Sequence, residues 1–365
     1  MITKTRRKMK KSDYKPGMLF YISLFLISSS LSAQEITKEF HKEYTAGSKT
    51  LDISNKYGDV SIESWDKDQI IIDVKVTVYM SNKERAQKYL DQIDVKFSDT
   101  PTTIYAKTVI DDNFSFTGWG DSKKFSIDYK IRMPAGTDLN LSNKYGNTDF
   151  NELHGLVNLD IKYGNLNAGK LTRGNVKPIN KLSIAYGKGT IDEAGWLDLT
   201  ERYVGSMEIT KSQAILLDSK YSKISLGETS SVVGESKYDN IRIDNIKNLV
   251  LENGYTEVNI GELTKKLTYN GSYGSFSIDR IPAGFESVDT ETHYMGVKLG
   301  IEEGAKYSLE AKVSYGGLKY NEDNFKNHKR IIENNSSEIS GVVGNEENPA
   351  SKVKIIASYG SVRLY

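Results

Sequence analysis

Residues 217–260 read LDSKYSKISLGETSSVVGESKYDNIRIDNIKNLVLENGYTEVNI. Tyr221, Tyr238 and Tyr255 stand 17 residues apart in this stretch, and each is followed by an apolar pair three and five residues on: Ile224 and Leu226, Ile241 and Ile243, Val258 and Ile260. A second alternating pair precedes the tyrosine, as in Leu249 and Leu251. Alternation of period two is strand patterning. Gly, Asn, Asp or Ser usually follows the tyrosine, and these residues are expected to supply the backbone freedom of a corner. Each unit therefore reads as strand, bend, strand, turn.

The unit recurs along most of the chain. Tyr145, Tyr163, Tyr186, Tyr203, Tyr221, Tyr238, Tyr255, Tyr273, Tyr294 and Tyr315 follow in steps of 18, 23, 17, 18, 17, 17, 18, 21 and 21 residues. Tyr57 and Tyr359 are outlying copies, in SNKYGD and ASYGS. Met207 and Ile209, after Tyr203, slip by one residue. One such unit cannot bury its own apolar face, but stacked units can. The fold class expected is all-β: a β-solenoid, or β-helix, of about ten coils of 17–23 residues over 138–320. The twelve tyrosines are expected to form a structural ladder, each in register with the inward apolar positions. On that reading Tyr238→Ala costs about 3 kcal/mol or more. An exposed aromatic platform for sugar rings is the other reading of the same line.

The ends depart from the period. Residues 34–137 hold one repeat copy and then longer strand-like runs at 70–79, 94–97, 103–109 and 125–133. A helix is expected over about 82–93, opened by Ser81 with Glu84 in a capping box and striped by Ala86, Tyr89, Leu90 and Ile93. This segment reads as an N-terminal cap, since a bare terminal coil exposes strand edges. Residues 113–124, with Trp119, read as a loop. Residues 321–350 read as a polar excursion with a short helix near Phe325–Ile332, and 351–365 as the closing coil.

Residues 1–33 read as a signal peptide: seven basic residues against Asp13, then the apolar run Met18–Leu31 and Leu31-Ser32-Ala33, with Gln34 as the first mature residue. That run is short for a membrane span, and an uncleaved anchor is the alternative. No cysteine follows it, so lipid attachment there is excluded. The leader carries net +6 against +1 for the whole chain, which leaves about −5 on residues 34–365. Such a surface lacks the basic footprint of a nucleic-acid binder. The chain has no cysteine, which excludes disulfides, thiol catalysis and thiolate metal sites.

Catalytic candidates are sparse. Gly187-Lys188-Gly189 is a corner, without the rest of a phosphate loop. Asp52, Asp160, Asp198 and Asp244 fall at outward strand positions. A sugar-cleaving β-helix would need clustered acids with Lys or Arg on one face, and Arg202, Arg242, Arg280, Lys162, Lys220, Lys237 and Lys298 are the available bases. His154 and His293 read as surface or turn residues. No catalytic residue, cofactor or metal site is expected.

The (S/N)-K-Y-G-(D/N) corners, the leader, the strand–helix–strand cap and the ending KIIASYGSVRL at 354–364 together resemble the exported bacterial β-strand-repeat family labelled "putative adhesin", common in Bacteroidetes. The resemblance covers most of 34–365 and implies the architecture, with no catalytic residue to carry over. The chain departs from the family pattern where Val204, Ser222, Asp239, Thr256 and Met295 replace the glycine after tyrosine. The expected role is a non-catalytic exported rod, an adhesin or envelope scaffold, in the periplasm, at the outer membrane or on the surface. Its partner would be an envelope protein, a surface protein or a glycan. A periplasmic sensor partnering a membrane signalling protein and a polysaccharide-active enzyme are the other two classes.

Overall fold

The computed structural model describes residues 35–365 apart from 81, 113, 115–124, 174–175 and 324. The leader, the cap serine and nearly all of the expected loop at 113–124 lie outside the described residues. Among the described residues twenty-four strands join in one continuous sheet, mostly parallel through the repeats and antiparallel at the two ends. The helix is Lys83–Asp91, and Asn82 is its N-cap, its side chain accepting from the Arg85 amide. Ala86, Tyr89 and Leu90 are its buried face.

Each repeat contributes one strand before its tyrosine and one after, and both pair in parallel with the next repeat. Before the tyrosine, Leu199 is opposite Leu217, Leu217 opposite Gly234 and Gly234 opposite Leu251. After it, Met207 is opposite Ile224, Ile224 opposite Ile241 and Ile241 opposite Val258. The 17-residue step thus returns each side chain over its equivalent one rung below. Both ladders turn their Leu, Ile and Val residues to one shared core.

The corner is built differently from the expectation. The left-handed residue is the tyrosine itself, with φ between 54° and 66° at all twelve positions. The glycine after it serves close approach instead. A Cβ on Gly146 would lie 1.8 Å from the Gly58 carbonyl oxygen, and one on Gly164 would lie 1.8 Å from that of Gly146. Where the glycine is replaced, Val204, Ser222, Asp239 and Thr256 are buried. In those rungs the inward residue two before the tyrosine is Glu201, Ser219, Ser236 or Asn253; rungs that keep the glycine carry Ile161 or Ile184, but also Asn55 and Asn143.

Leu51–Ile53 pairs with Leu139–Leu141, and Val60–Ile62 with Thr148–Phe150, so the outlying N-terminal copy is continuous with the repeats. Beyond it, Phe125–Pro134, Gln69–Tyr79 and Glu35–Thr45 extend one ladder. Thr103–Ile110 and Ile93–Asp99 extend the other.

Two expectations are corrected at the C-terminal end. Phe325–Glu333 is a strand rather than a helix, paired antiparallel with Ser336–Val343. Asn334, with φ 46°, makes the turn, and asparagine tolerates that conformation. The strand Ser351–Ser358 is not the end of the stack. It lies between Ser287–His293 and Tyr307–Ser314 and pairs in parallel with both. The hairpin covers the far edge of Tyr307–Ser314, so the last strand fills the inner slot instead.

Candidate functional site

The sequence-predicted tyrosines come together in one line. Successive rings stack from Tyr57 to Tyr294 with centroids 4.7–5.1 Å apart and planes within 13°. Tyr359 then stacks between Tyr294 and Tyr315, each at 4.7 Å. The spacing is that of neighbouring strands, and the line runs for about 50 Å. The end ring, Tyr57, also meets Phe125 at 5.3 Å.

The line is on the outside. The twelve side chains are 38–58% exposed, against the expectation of inward register. The positive φ at each tyrosine breaks the alternation by which a strand sends every second side chain inward. Ring faces are covered by neighbouring rings, so what meets solvent is a row of ring edges and hydroxyls. No sugar can lie flat on an inner ring of such a stack.

The geometry revises the expected cost of Tyr238→Ala to about 2 kcal/mol, from two ring contacts of roughly 0.5–1.5 kcal/mol each. Tyr238→Gly loses the same contacts but relieves left-handed strain of about 1–2 kcal/mol. The glycine variant should therefore be no less stable than the alanine variant, the reverse of their ranking in ordinary strands. Urea midpoints of the two variants check this. An alanine variant clearly more stable than the glycine one would refute the strained corner.

The candidate acids do not converge. Asp52, Asp160 and Asp198 line one shallow outer groove of about 830 Å³ with Asn140, Asn158, Lys181 and Ser183. Asp52 and Asp198 share a column, but four rungs separate them, or about 19 Å at the usual strand spacing. Paired glycosidase carboxylates stand about 5–9.5 Å apart. Asp244 is elsewhere, 3.2 Å from Arg242. Of the bases, Arg202 pairs with Asp218 at 2.5 Å, Arg280 bridges Glu262 and Glu302, and Lys162 is 3.5 Å from Asp160. Lys220 and Lys237 continue the column of Arg202 beside the tyrosines, and Lys298 lies opposite Arg363. His154 is held by Glu152 and Thr172, and His293 lies 3.7 Å from Glu291.

Two clusters escaped sequence reading. His41 lies in an outer cleft of about 600 Å³, its ring nitrogens 2.5 Å from Asp73 and 3.0 Å from Glu43. The Asp73 hydrogen bond, then that of Glu43, raises its pKa above the usual imidazole value. The other cluster is internal. Glu201 has no exposed surface, and burial, with the nearby charge of Asp239, pushes its carboxyl up to about 8. Asp239 is raised too, chiefly by burial. The glycine-to-Asp239 replacement was one sequence signal for this cluster, and Glu201 in period with the inward Leu197 and Leu199 was the other. Among the described residues no group of three or more His, Asp or Glu is arranged to hold a metal. No helix among them is long and apolar enough to cross a membrane.

No family model matches the chain, and no curated protein matches it. Solved structures do. It is similar to a "putative adhesin" from Parabacteroides distasonis at 12% identity, over 90% of this chain and 97% of that one, with a TM-score of 0.26. A "putative adhesin" from Bacteroides fragilis is 10% identical over 90% and 97%, with a TM-score of 0.23. A "putative lipid binding protein" from Parabacteroides distasonis is 10% identical over 90% and 96%, with a TM-score of 0.25. The chain is thus similar to bacterial proteins that carry the adhesin label.

Proposed function

We propose that the chain is an exported, non-catalytic β-solenoid that acts as an adhesin-like binding rod. The observation that carries this reading is the half-exposed tyrosine line. A parallel stack supplies a stiff scaffold, since each rung is hydrogen-bonded along its length to two others. The left-handed corner then spends strain at every rung to hold an aromatic side chain at the surface. Strain that recurs at one surface feature points to function. The result is a flat stripe of phenolic hydroxyls at regular intervals, beside the basic column of Arg202, Lys220 and Lys237. Regular hydroxyls suit an extended repetitive partner, a glycan or protein of the envelope or cell surface. Export rests on the basic and apolar leader, and a non-catalytic role fits the separation of the acids.

Replacing Tyr203, Tyr221, Tyr238 and Tyr255 together with Phe tests the reading. The rings and their stacking are kept, and only the hydroxyls are lost. The expected result is an unchanged melting temperature and loss of binding to isolated cell envelopes. Binding equal to that of the parent protein would overturn the assignment of the stripe. Protease treatment of intact cells, with a periplasmic marker, separates a surface adhesin from a periplasmic scaffold.

A further inference from the structure

The interior of the stack changes character at Glu201. The inward column two residues before the tyrosine runs Ile161, Ile184, Glu201, Ser219, Ser236 and Asn253, each opposite the next through successive ladder pairs. On one side two isoleucines separate this run from Asn143 and Asn55, which hold the same inward position, buried and hydrogen-bonded. From Glu201 on, the column is polar while remaining buried.

This polar run is incompletely satisfied. Both carboxylate oxygens of Glu201 lack a hydrogen-bond partner, and so does the hydroxyl of Ser219, opposite it on the next rung. Asp239 reaches the same region from the corner. Its Oδ1 accepts from the Ser222 amide at 2.7 Å and its Oδ2 from the Ser236 hydroxyl at 2.6 Å. It is close enough to raise the cost of a charge on Glu201. Arg202 gives no relief, because its guanidinium bonds the carbonyls of Glu201 and Asp218 and the Asp218 carboxylate. Among the described residues no Lys, Arg or His forms an ion pair with Glu201 or Asp239. A buried carboxylate with neither hydrogen bonds nor countercharge, as Glu201 is, is among the costliest arrangements in a protein core.

We propose that the interior between Glu201 and Asp239 holds a calcium ion, with the two carboxylates as charged ligands and the hydroxyls of Ser219 and Ser236 as neutral ones. Two carboxylates match a divalent charge. All the donors are oxygen, which disfavours zinc and its nitrogen and sulfur ligands. Donors spread over successive rungs suit calcium's irregular coordination of six to eight oxygens better than the strict octahedron of magnesium. The ion would neutralise both acids and take up the lone pairs that the protein leaves free. It would be enclosed as the rungs close over it, and so be acquired on folding.

The experiment is to unfold the full mature chain and refold it at pH 8 in millimolar calcium, in magnesium or in EDTA. Each sample is then desalted, its metal content measured and its thermal midpoint recorded. The expected result is one retained calcium per chain and a midpoint several degrees above that of the EDTA sample, with no such effect of magnesium. Glu201→Gln should lose the calcium and the difference between midpoints. Ser219→Ala removes one neutral ligand without burying a new group. It should fold and retain less calcium, which keeps the test decisive if the Glu201 variant does not refold. A wild-type chain that retains no calcium and melts identically in calcium and EDTA overturns the proposal, and the carboxyls are then neutralised by protons. Full calcium retention in both variants overturns it as well.

Discussion

Gly164→Ala is expected to lose about 3 kcal/mol or more of folding stability, well above the usual effect of one added methyl group. The conformation of Gly164 is not the obstacle, since its φ is not in the left-handed region. The obstacle is distance. The new Cβ would stand 1.8 Å from the carbonyl oxygen of Gly146 and 2.7 Å from the carbonyl carbon. Both atoms are backbone, held by ladders on each side of the corner, so no rotamer change gives way. A Cβ on Gly187 would likewise stand 1.9 Å from the Gly164 carbonyl oxygen, so a shift at one rung is passed to the next. Gly205→Ala is the control. Its nearest neighbour would be 3.8 Å away, and its cost should fall within the roughly 0.5 kcal/mol typical of surface changes. Urea unfolding of the two variants decides the matter. Equal midpoints would show that the glycine is not there for close approach.

Glu201 should make the calcium-free protein less stable as pH rises, opposite to the common behaviour of carboxylates. Burial, then the charge of Asp239, raises its folded-state pKa from 4.5 to about 8. Between those two values the folded chain keeps a proton that the unfolded chain has released. Stability is therefore fully present below about 4.5 and is lost as pH rises toward 8. Each pH unit in that window removes about 1.4 kcal/mol, so the loss from pH 5 to pH 8 is roughly 4 kcal/mol. Asp239, raised in the same direction, adds to the slope. In EDTA, Glu201→Gln should flatten most of this dependence and exceed the parent's stability at pH 8. Denaturant midpoints at pH 5 and pH 8 measure both effects. A variant whose midpoint falls with pH as steeply as the parent's would show that Glu201 is not the group responsible.

The polar interior also shows why the candidate site was only partly legible beforehand. Asp239 was visible as a departure from the glycine after tyrosine, but nothing in its neighbourhood in the chain linked it to Glu201. Those two acids are 38 residues apart in the sequence. They are brought near each other because a 17-residue step returns each position over the last. Asp52, Asp160 and Asp198 show the converse. Their outward placement followed from alternation alone, and the ladder registers then set them too far apart to act as a pair. His41 and Asp73 meet only because Glu35–Thr45 pairs antiparallel with Gln69–Tyr79, a pairing of distant segments that no periodicity encodes.

By itself the sequence determined the repeat, the strands and the apolar pairs that bury them. These are local properties: a period of two sets which side chains share a face, and a constant step stacks equivalent residues. It also determined that twelve tyrosines would fall in one line. Only the tertiary structure decided which way that line points. Alternation assumes an extended backbone, and one left-handed residue per rung turns the tyrosine outward without leaving a trace in the hydrophobic pattern. The order of the last rungs was likewise decided in three dimensions. Tyr359 stacks between Tyr294 and Tyr315 because the 325–343 hairpin occupies the outer edge, leaving the returning strand hydrogen-bond partners only in the slot between.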